Sequence, residues 1–335
     1  MLNKNHNMNN HQILIITEHC DKSADIVCQW LYHWKKDYMR LNENDLFNLP
    51  ITILFDKDKN ETFIQVKGQK LSLLKVNTTW FRRGYFMCTA LGIIPELSTK
   101  TNDSIIKHLE NEGKTLEEFL YFILGQNTCI NHPRCYNYNK LIALQEAKKL
   151  GFNIPPTIVS VDSNLLKKFT DKFESCISKS IQDLMGIAVN DLYAYTGKTI
   201  RVNKKEINPK GHWYSLFQKE IIKKYEIRVF YFLNKIYAMA IFSQMDEKSS
   251  LDFREVDANG KHPNRMVPFS LPNNITLKIR KLMKTLKLES GSLDFIVTND
   301  NEYYFLEVNP VGQFNFLSEI CNYHIEKNIA KMISL

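Results

Sequence analysis

Residues 293–308 constrain the fold more than any other part of this 335-residue chain. If Asn299-Asp300-Asn301-Glu302 is a loop, the flanking segments pair as an antiparallel hairpin. Val297 then faces Tyr304, Phe295 faces Leu306 and Leu293 faces Val308. Strand side chains alternate, so these residues make one apolar face, and that face sets the register. The other face pairs Thr298 with Tyr303, Ile296 with Phe305 and Asp294 with Glu307, with Asn309 two residues further on. Like charges directly opposite one another destabilise a sheet. Either these strand ends splay into water or the two acids share a cation. Asp, Glu and Asn oxygens suit Mg2+, which also takes nucleotide phosphates and water.

The rest of the chain alternates short apolar runs with amphipathic segments and contains no internal repeat. Residues 12–17 read as a buried strand, and Asp21 is placed to cap an amphipathic helix over residues 24–34. Residues 51–55 and 62–66 read as strands and residues 103–124 as a long helix, which predicts an α/β first domain. Asn139 is placed to cap a second helix that stops at Gly151, and Pro155-Pro156-Thr157 leads into a strand ending at Ser160. Residues 165–173 have helical spacing, and the strand after them carries Lys179. Residues 188–202 are expected to form a hairpin turning at Thr196-Gly197-Lys198. Residues 215–222 and 227–242 are strand-like, 245–268 form a long polar loop, 275–286 a basic helix and 317–332 a last helix. The expected divisions are 1–130, 131–217 and 218–335.

The order of the chemical groups is more telling than any one of them. Glu307-Val-Asn309-Pro310 ends a strand, Asp294 precedes it, and two lysines lie far upstream. This arrangement resembles the ATP-grasp superfamily, with an N-terminal pre-ATP-grasp α/β domain ahead of the ATP-grasp fold. The resemblance implies a Mg2+ site at Asp294, Glu307 and Asn309. It implies that Gln218, Lys219, Glu220 and Ile221 form the interdomain hinge beside adenine, that Glu226 binds the ribose, and that Lys140 and Lys179 meet the phosphates of ATP. Lysine is a compact point charge suited to phosphate oxygens. Mg2+ bridges phosphates and offsets developing charge in phosphoryl transfer. Residues 180–217 hold only Gly186, Gly197 and Gly211, so a dense glycine loop over the phosphates is missing, and the 188–202 hairpin is an alternative cover.

Four further segments narrow the resemblance: Trp80-Phe-Arg-Arg83, Glu226-Ile-Arg228-Val, Asp252-Phe-Arg254, and Asn309-Pro-Val-Gly-Gln-Phe314 trailed by Cys321-Asn-Tyr-His324. Together they are similar to the graspetide synthetases, the microviridin-type peptide ligases, and most of all to the ATP-grasp maturases of grasp-with-spasm systems. That resemblance implies ATP-dependent macrocyclisation of a ribosomal precursor peptide, leader plus core, by a homodimer. A core Asp or Glu is phosphorylated, and a Ser, Thr or Lys side chain displaces the phosphate to give an ester or amide. Arg228 and Arg254 are candidates for holding the substrate carboxylate and acyl phosphate, because Arg forks match such oxygens. Asp252 either accepts the nucleophile's proton or pairs with Arg254. Arg82 and Arg83 read as domain-packing or dimer-contact residues.

Composition sets outer bounds. The formal net charge of +8 fits an acidic peptide partner, and the dense basic runs of a nucleic-acid binder are absent. No apolar run approaches the roughly 20 residues of a membrane span, and the Asn-rich start lacks a signal-peptide core, so a cytoplasmic protein is expected. The seven cysteines form no C-x-x-C pair, which argues against a disulfide framework. Cys129, His132 and Cys135 lack a fourth zinc ligand and read as ordinary thiols and an ordinary histidine. Two other readings stay open: a carboxylate–amine ligase acting on a small molecule or protein tail, and a non-catalytic peptide-binding relative.

Overall fold

The structure, a computed structural model, describes residues 13–47, 49–66, 68–88, 103–133, 139–182, 187–190, 193–195, 199–203, 205, 207, 213–243 and 264–335. The first third contains β1 (Ile13–Thr17), α1 (Lys22–His33), β2 (Tyr38–Asn42), α2 (Glu43–Leu46), β3 (Ile51–Phe55), β4 (Asn60–Val66), β5 (Gln69–Ser72), β6 (Thr78–Phe81), α3 (Asp103–Leu124) and β7 (Thr128–Ile130). The sequence pattern missed β2, β5 and β7. The parallel sheet runs β2-β1-β6-β7, and β3-β4-β5 form a separate antiparallel sheet. Every residue of β1 is buried, because the parallel sheet is covered on both faces. Ile13 and Ile15 join Val27 and Leu31 of α1 in one core, while Leu14 and Ile16 join Leu120 and Leu124 of α3 in another. Asp21 caps α1 by accepting from the Ser23 and Ala24 amides, as its position predicts.

The middle of the chain contributes α4 (Lys140–Lys149), β8 (Thr157–Ser160), α5 (Ser163–Thr170), β9 (Cys176–Lys179), β10 (Ile187–Asn190), β11 (Tyr193–Tyr195), β12 (Ile200–Arg201) and β13 (Ser215–Lys219). The order β12-β9-β13-β8 makes a four-stranded antiparallel sheet. The hairpin expected over 188–202 is shorter. β10 pairs with β11, whereas β12 leaves them and pairs with β9. The expected turn residues Thr196-Gly197-Lys198 lie outside the described residues.

The last third contains β14 (Tyr225–Phe232), β15 (Lys235–Phe242), β16 (Arg265–Pro268), α6 (Asn273–Thr285), β17 (Ser290–Val297), β18 (Tyr303–Asn309), α7 (Asn315–Ile320) and α8 (Ile325–Ile333). The antiparallel order is β16-β15-β14-β17-β18. The single run expected over 227–242 is a hairpin that turns at Leu233 and Asn234, both with positive φ. The polar loop ends earlier than expected, because Arg265–Pro268 pairs with β15. The last helix is broken between α7 and α8, where Asn322 and His324 take left-handed backbone.

One face of this sheet carries Val229, Leu293, Phe295 and Val308 into a core with α6 and α4. On the other face Phe230, Phe232 and Met239 pack against Trp80, α1 and α8 of the shared second core. That face is apolar where β1, α1 and Trp80 pack near it and polar further along, at Arg228 and Glu226. The hairpin register holds at Asp294–Glu307 and Leu293–Val308 but slips by one beyond them. Phe295 pairs with Phe305, not Leu306, and Val297 with Tyr303, not Tyr304. Leu306 is the extra residue of a bulge, which turns the fully buried Phe305 ring to the core while Glu307 keeps the other face.

Candidate active site

Antiparallel register sets three charged side chains in a row across neighbouring strands: Arg228 on β14, Asp294 on β17 and Glu307 on β18. Arg228 Nη1 donates to both Asp294 carboxylate oxygens, at 2.9 and 2.7 Å, and Nη2 donates to the Gln313 carbonyl at 3.3 Å. At the far end Lys140 brings Nζ to 3.2 Å from Glu307 Oε2. Lys140 is the first residue of α4, whose start is fixed by Asn139 accepting from the Leu141 and Ile142 amides. The four side chains keep only 10–15% of their surface exposed. Adjacent carboxylates repel, and here a cation flanks each one, so the row runs positive, negative, negative, positive.

Asn309 lies on the same face as Glu307, opposite Ser292, and its Oδ1 accepts from the Val311 amide at 3.0 Å. Glu226 shares the Arg228 face of β14 and is buried. It ion-pairs with Lys223 and accepts from Ser243 Oγ at 3.0 Å. Burial pushes its carboxyl above the ordinary range, and the Lys223 charge and the two hydrogen bonds pull the other way.

The expected hinge side chains differ in burial. Gln218 is fully buried, and its Nε2 donates to Thr157 Oγ1 at 2.8 Å. Lys219 is exposed beside the Phe173 ring. Glu220 accepts from Ser175 Oγ at 2.6 Å and from Arg201. Burial raises its carboxyl, but Arg201 and Ser175 outweigh it and hold the group below the usual range. Ile221 is half-buried in the link to β14. Lys179, also half-buried, ends β9 opposite Leu216 of β13.

The structure thus brings Lys140, Arg228, Asp294 and Glu307 into contact, and puts Lys179 beside β13, the strand that carries Gln218 and Lys219. Asp252 and Arg254 lie outside the described residues. Sequence reasoning missed Ser292, Lys223 and Ser243. Ser243 faces Glu226 only once the turn at Leu233–Asn234 is located, and nothing in the sequence marks Lys223. Cys129 is half-buried on β7, His132 packs on the Phe81 and Tyr121 rings, and Cys135 lies outside the described residues. No cluster of three metal-ligating His, Cys, Asp or Glu side chains occurs among the described residues.

An α/β domain followed by two antiparallel sheets, with acids on the last strands and lysines on the earlier elements, is an ATP-grasp architecture, and the chain has that fold. No family model matches the sequence. The structure is similar over nearly its whole length to RiPP-associated ATP-grasp ligases. The Chryseobacterium gregarium RiPP-associated ATP-grasp ligase, in complex with ADP and a leader and core peptide, is 28% identical, with a TM-score of 0.80 over 97% of this chain and 95% of that one. Macrocyclase MdnC of Microcystis aeruginosa, bound with precursor peptide MdnA, is 24% identical, with a TM-score of 0.76 over 96% and 98%. The ATP-grasp ligase PsnB, complexed with a minimal precursor, Mg and ADP, is 14% identical, with a TM-score of 0.72 over 99% and 98%. A 192-residue stretch is 24% identical to an uncharacterized protein of Methanocaldococcus jannaschii and spans 55% of this chain but only 43% of that relative.

Proposed function

We propose that this chain is an ATP-dependent ligase that closes rings in a ribosomally made precursor peptide. The observation that carries this reading is the row Arg228–Asp294–Glu307–Lys140, set in a fold like that of a RiPP-associated ligase. The residues fit a nucleotide and a divalent cation. Two carboxylates held side by side are the donor set whose repulsion a dication reverses. Gln218 Oε1 and Arg228 Nε are buried polar atoms with no hydrogen-bond partner among the described residues. Asp294, Glu307 and Asn309 would hold Mg2+, which supplies charge neutralisation on the phosphates. Lys140 and Lys179 would meet phosphate oxygens, Glu226 the ribose, and the 218–221 backbone the base.

In this reading a core Asp or Glu carboxylate oxygen takes the γ-phosphoryl group of ATP, leaving ADP and an acyl phosphate. A Ser or Thr hydroxyl, or a Lys amine, attacks the acyl carbon. The carbon–oxygen bond to phosphate breaks, phosphate leaves, and the nucleophile's proton passes to a base, for which Asp252 is the candidate. Arg228 and Arg254 hold the substrate carboxylate and acyl phosphate, because cations are most effective where charge develops. The three-part division at 130 and 217, a homodimeric assembly and a cytoplasmic setting complete the proposal. No helix among the described residues is long and apolar enough to cross a membrane.

Mass spectrometry of a co-expressed precursor tests it. Each ring should remove one water from the peptide mass. No loss with ATP and Mg2+ present, together with ATP turnover driven by free amino acids, would instead identify a small-molecule carboxylate–amine ligase.

A further inference from the structure

The turn that follows Asn309 is held from outside the ATP-grasp sheets. Arg82, at the end of β6 in the first domain, is 4% exposed, and its Nη1 donates to the Val311 carbonyl at 2.6 Å. Its Nε lies 3.4 Å from Asp21 Oδ2, and its guanidinium sits over the Phe314 ring. Asp21 is itself fixed, by Thr17 Oγ1 at 2.8 Å and by the Ser23 amide at 3.0 Å. Asn131, directly after β7, is 1% exposed. Its Nδ2 donates to the Pro310 carbonyl at 2.7 Å, and its Oδ1 accepts from the Ser290 amide at 2.9 Å. One side chain therefore ties the first residue of the Asp294 strand to the residue that follows the Glu307–Asn309 strand. Its φ of +56° is a conformation that Asn tolerates better than most residues. The turn is also tightly seated. A Cβ on Gly312 would lie 2.5 Å from Ser292 Cβ, and the Gln313 carbonyl accepts from Arg228 and from Ser292 Oγ.

We infer that Arg82 and Asn131 are positioning residues: from the first domain they clamp the 310–313 turn and so fix Glu307 and Asn309 against Asp294. This rests on the proposed nucleotide–metal site. Asn131→Asp keeps the acceptor for Ser290 and replaces the donor to Pro310 with an oxygen. Arg82→Lys keeps the charge and loses the fork. Removing outer-shell support of this kind typically weakens a metal site about tenfold or more.

Three measurements on the full chain test the inference: thermal unfolding without ligand, amide hydrogen exchange at Val311 and Gly312, and binding of a fluorescent ADP analogue with EDTA or across an Mg2+ titration. The expected result for both variants is a small melting shift, faster exchange in the turn, unchanged binding in EDTA, and a half-saturating Mg2+ concentration raised about tenfold. An unchanged Mg2+ midpoint, or binding in EDTA that falls in parallel, overturns the inference. If Arg82→Lys does not fold, Asn131→Asp decides, with Asn131→Gly, which suits the positive φ, as its check. Absence of any Mg2+ effect in the wild-type protein would instead overturn the functional reading, a result distinct from wild-type and variant curves that coincide.

Discussion

The two antiparallel sheets that face the proposed nucleotide site are built to different standards. The five-stranded C-terminal sheet is buried on both faces, by α4 and α6 on one side and by β1, α1 and Trp80 with α7 and α8 on the other. The central four-stranded sheet rests on a core of Leu166, Ile207 and Phe217, with Ile158, Phe169 and Val202 packed against it, among the described residues. The heavily packed sheet holds the acids in a fixed row. The other, less heavily packed among the described residues, carries Lys179 and the proposed hinge. Regions with few buried apolar contacts open at lower free-energy cost, so, among the described residues, the contrast sets a firmly packed wall against a more lightly packed cover.

The sharpest challenge to that contrast is at the wall. Glu307→Gln should reduce peptide processing about a thousandfold, as expected when a preorganised charge at the reacting phosphates is lost, while circular dichroism shows the fold retained. Unchanged processing would remove Glu307 from the chemistry. Next come the two cores. Phe295 is fully buried against the Phe152 and Phe305 rings, so Phe295→Ala should cost about 3–5 kcal/mol in urea unfolding. Leu166→Ala should cost about 2 kcal/mol, at the low end for a buried leucine. Equal costs would erase the distinction between wall and cover.

A smaller effect is expected from Glu226. Its raised carboxyl pKa means the folded state favours the neutral acid. That stability is fully present below the ordinary carboxylate value and is lost as pH rises from about 4.3 through the raised value. Glu226→Gln should flatten this part of the stability–pH curve, and parallel curves for mutant and wild type would contradict the burial argument. The smallest effect belongs to the cover. Glu220 is held low, so its contribution is present above the ordinary value and disappears as pH falls through the lowered one. Arg201→Ala should remove that acid-side loss and shift stability by less than about 1 kcal/mol, since Arg201 is largely exposed.

Legibility in the sequence follows the same division. Asp294 and Glu307 could be paired from residue order alone, because strand alternation and an all-apolar face leave one register at the base of the hairpin. The tip could not, because the bulge at Leu306 breaks the period of two without a glycine to announce it. The turn at Leu233–Asn234 carries one short signal, the polar pair Asn234-Lys235 between two apolar runs, while leucine beside it is a poor marker of left-handed backbone. The break between α7 and α8 was masked by helical spacing that continues across it. Caps were readable at Asp21 and Asn139, where the signal is local. The sequence marks Arg82 only as a domain-packing or dimer-contact residue, because its grip on the Val311 carbonyl joins segments far apart in the chain, which no local pattern records.

The self-paired row has one more consequence. With Arg228 against Asp294 and Lys140 against Glu307, the row itself carries two positive and two negative charges and offers little net pull to a single ion of either sign. Lys140 and Glu307 give up each other cheaply only when opposite charges reach both at once, which favours a ligand that arrives as a preassembled salt of polyanion and metal. Titration calorimetry should therefore register almost no heat from magnesium chloride alone, and a strong signal there would show that the row captures its ions one by one.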